Sequence, residues 1–372
     1  MIYTNLKKSL SNWFGDLCQP ILQDNDRENE CFSPLQQNEA RDDIFDVLKG
    51  AAIFFMITGH CKPGPLESFI YSFHMPLFFF VTGYFLKKRP FREEIRLSTK
   101  RLIFPYIFSA ICICFIAVCN DLSNYTWADG SYTQGKIISL LLGFRGDFSP
   151  QWMTNNIAVL WFIPALFVAR SITISLTSKI KSTAVTCMIC LILGIIGIVL
   201  EKFFFVPYCI PQGLSAVAFI YVGYLIRKYN LLNLSNIKRL FPFLLILWFY
   251  SWNSKGMDIA LCRFHSGYVF CLFGSLGAFF ALYILVKKFY RKESPFWKII
   301  HFVGRNSLIV YCVHAIEFGN INWRAFAILH HIPLDHFIFF QIFVHTAIAL
   351  SFTFIIFKIK PLREGVFQIK RY

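Results

Sequence analysis

Apolar residues run along this chain in long blocks rather than at the spacing of half-buried, amphipathic elements. Ten blocks follow one another at approximately 44–62, 66–86, 102–119, 157–177, 182–200, 209–226, 239–253, 266–286, 303–319 and 337–357. Most approach the 17–25 residues that carry a helix across a bilayer. The seventh is short, and the ninth carries Arg305 and Asn306. The pattern predicts an all-α, polytopic integral membrane protein, with about ten transmembrane helices in one bundle over residues 41–360. Residues 1–40 read as a polar N-terminal extension without the early apolar core and cleavage site of a signal peptide. Within it Ile2, Leu6, Leu10, Trp13, Leu17 and Ile21 recur every three or four residues. That stripe fits a helix lying in the membrane interface, and a mobile tail is the competing reading. Residues 361–372 read as a basic cytoplasmic tail.

Composition supports the membrane reading. Of 372 residues, 56% are hydrophobic and 16% charged, and Phe occurs 44 times. A soluble fold of this length has too little interior for so much apolar surface. The formal net charge of +16 is first a topology signal. With the N-terminus inside, 30 Lys and Arg fall on inward segments and 7 on outward ones. This split predicts an even number of spans with both termini cytoplasmic, and it removes the reason to expect nucleic acid as a partner. The twelve cysteines sit mostly inside apolar blocks and read as small packing residues, Cys187-x-x-Cys190 included.

Candidate chemistry concentrates in the first two blocks. Ionisable groups inside a membrane helix are costly and mark function by default. Lys49 and His60 are eleven residues apart, which puts them on one helix edge about 16 Å from each other. Asp46 stands one turn before Lys49, in reach of an ion pair. Pro63-Gly64-Pro65 predicts a tight turn that lays the second block antiparallel to the first. There Pro76 lacks a helical N–H, freeing the carbonyl near Ser72 and leaving an irregular polar patch around His74. Thr82-Gly83 admits a close helix neighbour. A neutral imidazole is suited to take a proton from an attacking hydroxyl, and a fixed cation to hold a phosphate or developing negative charge. Packed, hydrogen-bonded helix contacts are the alternative for the same residues.

Lys49-x10-His60, followed by Phe73-His74-Met75-Pro76-Leu77-Phe78-Phe79-Phe80-Val81-Thr82-Gly83-Tyr84, resembles the bacterial membrane acyltransferase 3 family, in particular its fucose-4-O-acetylase-like branch. Weaker likenesses lie at Lys100-Arg101-Leu102-Ile103-Phe104-Pro105-Tyr106, at Leu160-Trp161-Phe162-Ile163-Pro164, and at Gly304-Arg305-Asn306-Ser307-Leu308 with Tyr311 and His314. The resemblance implies a ten-helix enzyme of the bacterial cytoplasmic membrane. Such an enzyme moves an acetyl group from cytoplasmic acetyl-CoA to a hydroxyl of a cell-envelope polysaccharide or lipid-linked sugar. It places Lys49 where the family has Arg or Lys, and His60 where it has its catalytic His. Thr82 replaces the family's usual Ser.

The expected catalytic set is therefore His60, Lys49, His74 and Thr82, with Asp46, Tyr84, Arg101, Trp161, Asn306, Ser307 and His314 around the substrates. Arg101 would meet CoA phosphates, or simply end a topogenic cluster. Trp161 would stack on a sugar face, or anchor at the interface. His330, His331, His336 and His345 are too scattered to suggest a metal site, and no metal or nucleotide-fold motif occurs. No permanently bound cofactor is expected; acetyl-CoA, a glycan acceptor and membrane lipid are the expected partners. A glycan or lipid transporter using histidines as proton relays is the rival class, and an inactive relative serving in an assembly is a third.

Overall fold

The computed structural model describes residues 42–87, 89–123, 131–318 and 337–369. The N-terminal extension and His330, His331 and His336 lie outside the described residues. The described residues are mostly helical, in the order α1 (Asp43–His60), α2 (Pro65–Tyr71), α3 (His74–Tyr84), α4 (Phe91–Ser98), α5 (Phe104–Ser123), α6 (Ser131–Leu142), α7 (Phe162–Lys179), α8 (Thr183–Phe203), α9 (Ile210–Lys228), α10 (Leu234–Asn253), α11 (Tyr268–Phe289), α12 (Pro295–Arg305), α13 (Ser307–Glu317) and α14 (Phe337–Lys358). The described β structure is one short antiparallel pair, β1 (Met257–Asp258) with β2 (Arg263–Phe264).

Helix α9 forms the middle of the bundle, with every residue from Pro211 to Tyr221 buried. Helices α3, α7 and α8 pack around it, and α1 is flanked by α3, α11, α12 and α13. The outer surface is strongly apolar: Phe115, Leu141, Phe339 and Phe343 are each at least 70% exposed. Water would penalise such a surface, whereas hydrocarbon does not. Six helices are long and apolar enough to cross a membrane, or seven when α12 and α13 count as one bent span.

The expected number of about ten is thus not reached among the described residues, and three departures have visible causes. Helix α1 carries Asp43, Asp46 and Lys49 within its 18 residues. The second block is broken at Ser72–Phe73 into α2 and α3. Pro76 lies in the first turn of α3, where a missing N–H is harmless, so it opens a helix instead of kinking one. The ninth block is bent by 78° at Asn306, and its first arm begins upstream at Pro295.

Close helix contacts rest on glycines. A Cβ built on Gly83 would stand 1.8 Å from the Ile220 carbonyl oxygen of α9, and one on Gly304 would stand 1.6 Å from the Asp46 carbonyl oxygen of α1. Backbone thus meets backbone at both crossings, as the Thr82-Gly83 pair predicts. Gly83→Ala and Gly304→Ala are each expected to destabilise the purified protein by about 1 to 3 kcal/mol through overpacking. Gly365→Ala is the matched control, since its Cβ meets nothing within 4 Å. A thermal midpoint in detergent that moves no further for the first two than for the control would contradict these contacts.

Candidate active site

His60 is the last residue of α1, and the chain turns there. Pro63 and Pro65 flank Gly64, whose φ of 63° is open to glycine without strain. The turn folds α2 back against α1. Gly59 allows the approach, since a Cβ on it would lie 3.0 Å from Ile70 and 3.3 Å from the Tyr71 ring. As a result the Tyr71 hydroxyl stands 3.4 Å from His60 Nδ1. At the break that follows, Ser72 Oγ donates to the Phe69 carbonyl at 2.6 Å and accepts from Trp248 Nε1 at 2.8 Å. His74 Nδ1 donates to the Ile70 carbonyl at 2.8 Å, which leaves Nε2 of the neutral ring as an acceptor. The irregular patch expected around His74 is present, and its backbone groups are satisfied by side chains.

His60, Tyr71 and His74 line a cavity of about 150 Å³ together with Met56, Met75, Arg145, Val159, Trp161, Asp258, Tyr311 and Phe318. That is about the space that takes one six-membered ring. Trp161 is 5% exposed, which places it on the cavity and not at a membrane interface. Arg145 donates from Nη1 to Asn156 Oδ1 at 3.0 Å, and its buried Nε has no hydrogen-bond partner among the described residues. The Asp258 side chain caps its own turn by accepting from the Ala260 N–H at 3.0 Å. Burial raises the Asp258 carboxyl above its ordinary range, against the opposing pull of Arg145. One buried side chain ties these loops down. Gln212 Nε2 faces the Arg145 carbonyl at 2.5 Å, Glu201 Oε2 at 2.9 Å and the Ala260 carbonyl at 3.1 Å. Tyr311 adds a hydrogen bond from its hydroxyl to the Val159 carbonyl.

His60 has a second histidine beside it. The His314 ring is stacked on it at 5.6 Å between centroids and 20° between planes.

Lys49 stands apart from this cavity. It pairs with Asp46 at 2.7 Å, as the one-turn spacing predicts, and Asp46 is only 2% exposed. His301 of α12 approaches Asp43 at 3.1 Å and Asp46 at 3.9 Å, and Lys292 reaches Asp43 at 3.6 Å. The expected cation is therefore part of a mixed-charge cluster. Between Lys49 and His60 the same edge of α1 carries Ile53 and Met56, each 1% exposed. The edge is packed with apolar side chains, and an acyl carrier coming from Lys49 would have to part α1 from its neighbours.

Other expected residues are not brought to the cavity. Thr82 lies eight residues beyond His74, about 12 Å along α3, half-buried next to the α9 contact. Tyr84 packs its ring on Phe45 at 4.4 Å. Arg101 is exposed on the π-helical turn Thr99–Ile103, near the buried Arg170–Glu94 pair. Asn306 sits at the α12–α13 bend, its Nδ2 donating to the Phe302 carbonyl at 2.9 Å, with its buried Oδ1 unpartnered among the described residues. Ser307 is half-buried beside it.

Tyr71, Arg145 and Asp258 were not among the expected residues. The only signal for Arg145 was weak: it is one of seven basic residues on segments that the charge split reads as outward. Asp258 is separated from His60 by almost 200 positions, and no local pattern connects them.

Two histidines, an arginine, an acid and aromatic rings thus line one cavity inside a helical bundle whose outer surface is strongly apolar. The family model described as "Acyltransferase domain" matches residues 42–357. The chain belongs to that family and is a membrane acyltransferase. No curated protein and no solved structure matches it. The transporter reading is set aside by this membership.

Two outcomes follow from the geometry. Tyr71→Phe keeps the ring and removes the hydroxyl at His60, and is expected to slow acyl transfer by about fivefold, the value of one neutral hydrogen bond of about 1 kcal/mol. An unchanged rate would take Tyr71 out of the site. Lys49→Ala removes the nearest cation from the buried Asp46 carboxylate while His301 still faces it at 3.9 Å, and is expected to lower stability by less than the roughly 3 to 5 kcal/mol of a carboxylate left wholly unpaired. Lys49→Met combined with Asp46→Asn should restore the unfolding midpoint; continued instability of the double variant would show that the pair is not the cause.

Proposed function

We propose that this acyltransferase moves an acyl group, acetyl by the resemblance of its motifs, from cytoplasmic acyl-CoA to a hydroxyl of a cell-envelope polysaccharide or lipid-linked sugar. The observation that carries the reading is the position of His60: an imidazole at the end of helix α1, lining a one-ring cavity with His74, Arg145 and Asp258. His60 accepts the proton of the acceptor hydroxyl as its oxygen attacks the thioester carbonyl. The tetrahedral oxyanion collapses, the carbon–sulfur bond breaks, and the proton returns through His60 to the departing CoA thiolate. Arg145 is the cation positioned to meet the developing oxyanion charge. Trp161 offers a ring face to the sugar, and Tyr71 orients the His60 ring. The inward bias of basic residues supports a cytoplasmic membrane location with both termini inside.

Mass spectrometry of envelope glycans tests this reading, in cells with the gene, without it, and with His60→Ala. The expected result is a mass difference of one acetyl group that disappears both on deletion and with His60→Ala, while the variant protein still inserts. Identical glycans with and without the gene would contradict the acceptor class, and full modification by His60→Ala would remove His60 from the mechanism.

A further inference from the structure

The fold assembles three buried side chains behind His60 that lie far apart or unremarked in the sequence. His314 and Glu317 are one turn apart at the end of α13, and His345 faces them from α14. Their exposures are 0%, 4% and 2%. His345 Nδ1 stands 2.7 Å from the Glu317 carboxylate, and His314 Nδ1 stands 3.7 Å from Oε2 of the same group. One donor atom from each residue lies within 4.8 Å of the other two. Neither ring nitrogen of His314 has a hydrogen-bond partner among the described residues, an expensive condition for a buried imidazole.

We propose that His314, Glu317 and His345 bind one divalent transition-metal ion of the zinc type. Two imidazole nitrogens and one carboxylate oxygen form a set that zinc accepts, whereas magnesium and calcium prefer oxygen ligands alone. Tetrahedral bonds of about 2.0–2.1 Å place ligand atoms roughly 3.3 Å apart. The Glu317 carboxylate stands 2.7 Å from His345 Nδ1 and 3.7 Å from His314 Nδ1, so an ion would be admitted by ring shifts of about half an ångström. An ion here gives His314 Nδ1 a partner and sets a positive charge beside the buried carboxylate. Three protein ligands leave one coordination position for water or another ligand. The Phe318 ring touches all of the relevant histidines, at 5.1 Å from His60, 5.3 Å from His314 and 5.8 Å from His345, and it also lines the cavity. The ion would therefore lie a single aromatic ring away from the His60 cavity. Sequence reading passes over this site because His345 follows Glu317 by 28 positions and neither matches a ligand motif.

Metal content tests the proposal independently of acyl transfer. Full-length protein, freed of any metal-binding tag, is equilibrated with zinc, stripped of loose ions on a chelating resin, and measured by plasma mass spectrometry. The expected content is about one zinc per chain, lost in Glu317→Gln and in His345→Gln while both variants still elute as monodisperse protein. Should either variant aggregate, the wild-type thermal midpoint is the second measurement, rising with zinc and not with magnesium. His60→Ala is expected to keep its zinc while losing transfer, which separates this site from the base proposed above. Zinc-free wild-type protein, zinc retained in both ligand variants, or zinc lost in His60→Ala would each overturn the assignment.

Discussion

Hydrocarbon offers a polar side chain no partner except other protein, and around α1 this chain meets that constraint where neighbouring helices start, stop or bend. Asp46 and Lys49 are in the first half of α1 beside the bend at Asn306, and His60 is at the end of the same helix beside the break at Ser72–Phe73. Helix ends leave backbone groups unpaired, so the residues that satisfy them are also the residues able to do chemistry. The Trp248–Ser72–Phe69 chain shows the first role, and the histidines at the same break show the second.

The consequence is a division of labour along α1. One end carries a charge-balanced cluster that α12 helps to hold, through a crossing so close that only glycine fits at position 304. The other end carries a cavity closed by loops that Gln212 and Tyr311 fasten to the bundle. The two ends are separated by packed side chains, Ile53 and Met56 among them. On the proposed reading, a donor entering at the Lys49 end would reach His60 only if α1 parted from its neighbours.

Local features were legible in the sequence because they depend on short spacings. The Asp46–Lys49 pair, the turn at Gly64 and the close approach at Gly83 all follow from residues within a few positions of one another. Bends were not legible, since an apolar block reads the same whether its helix is straight or broken, and α12 is too amphipathic to extend the ninth block upstream. Contacts between distant segments were hidden for a different reason. Arg145, Asp258 and His345 belong to separate loops or helices, and only the packing of α9 and α14 makes them neighbours of His60 or His314. Thr82, singled out by motif, stands eight residues beyond His74, about 12 Å along α3.

The central claim is that the ring of His60 handles the proton of the transferred acyl group's acceptor. Purified protein in lipid nanodiscs, given radiolabelled acetyl-CoA and a sugar acceptor, tests it most directly when wild type and His60→Gln are compared at matched folding. The account predicts labelled acceptor from wild type and a loss of at least about a hundredfold in the variant. Transfer by the variant at the wild-type rate would contradict it.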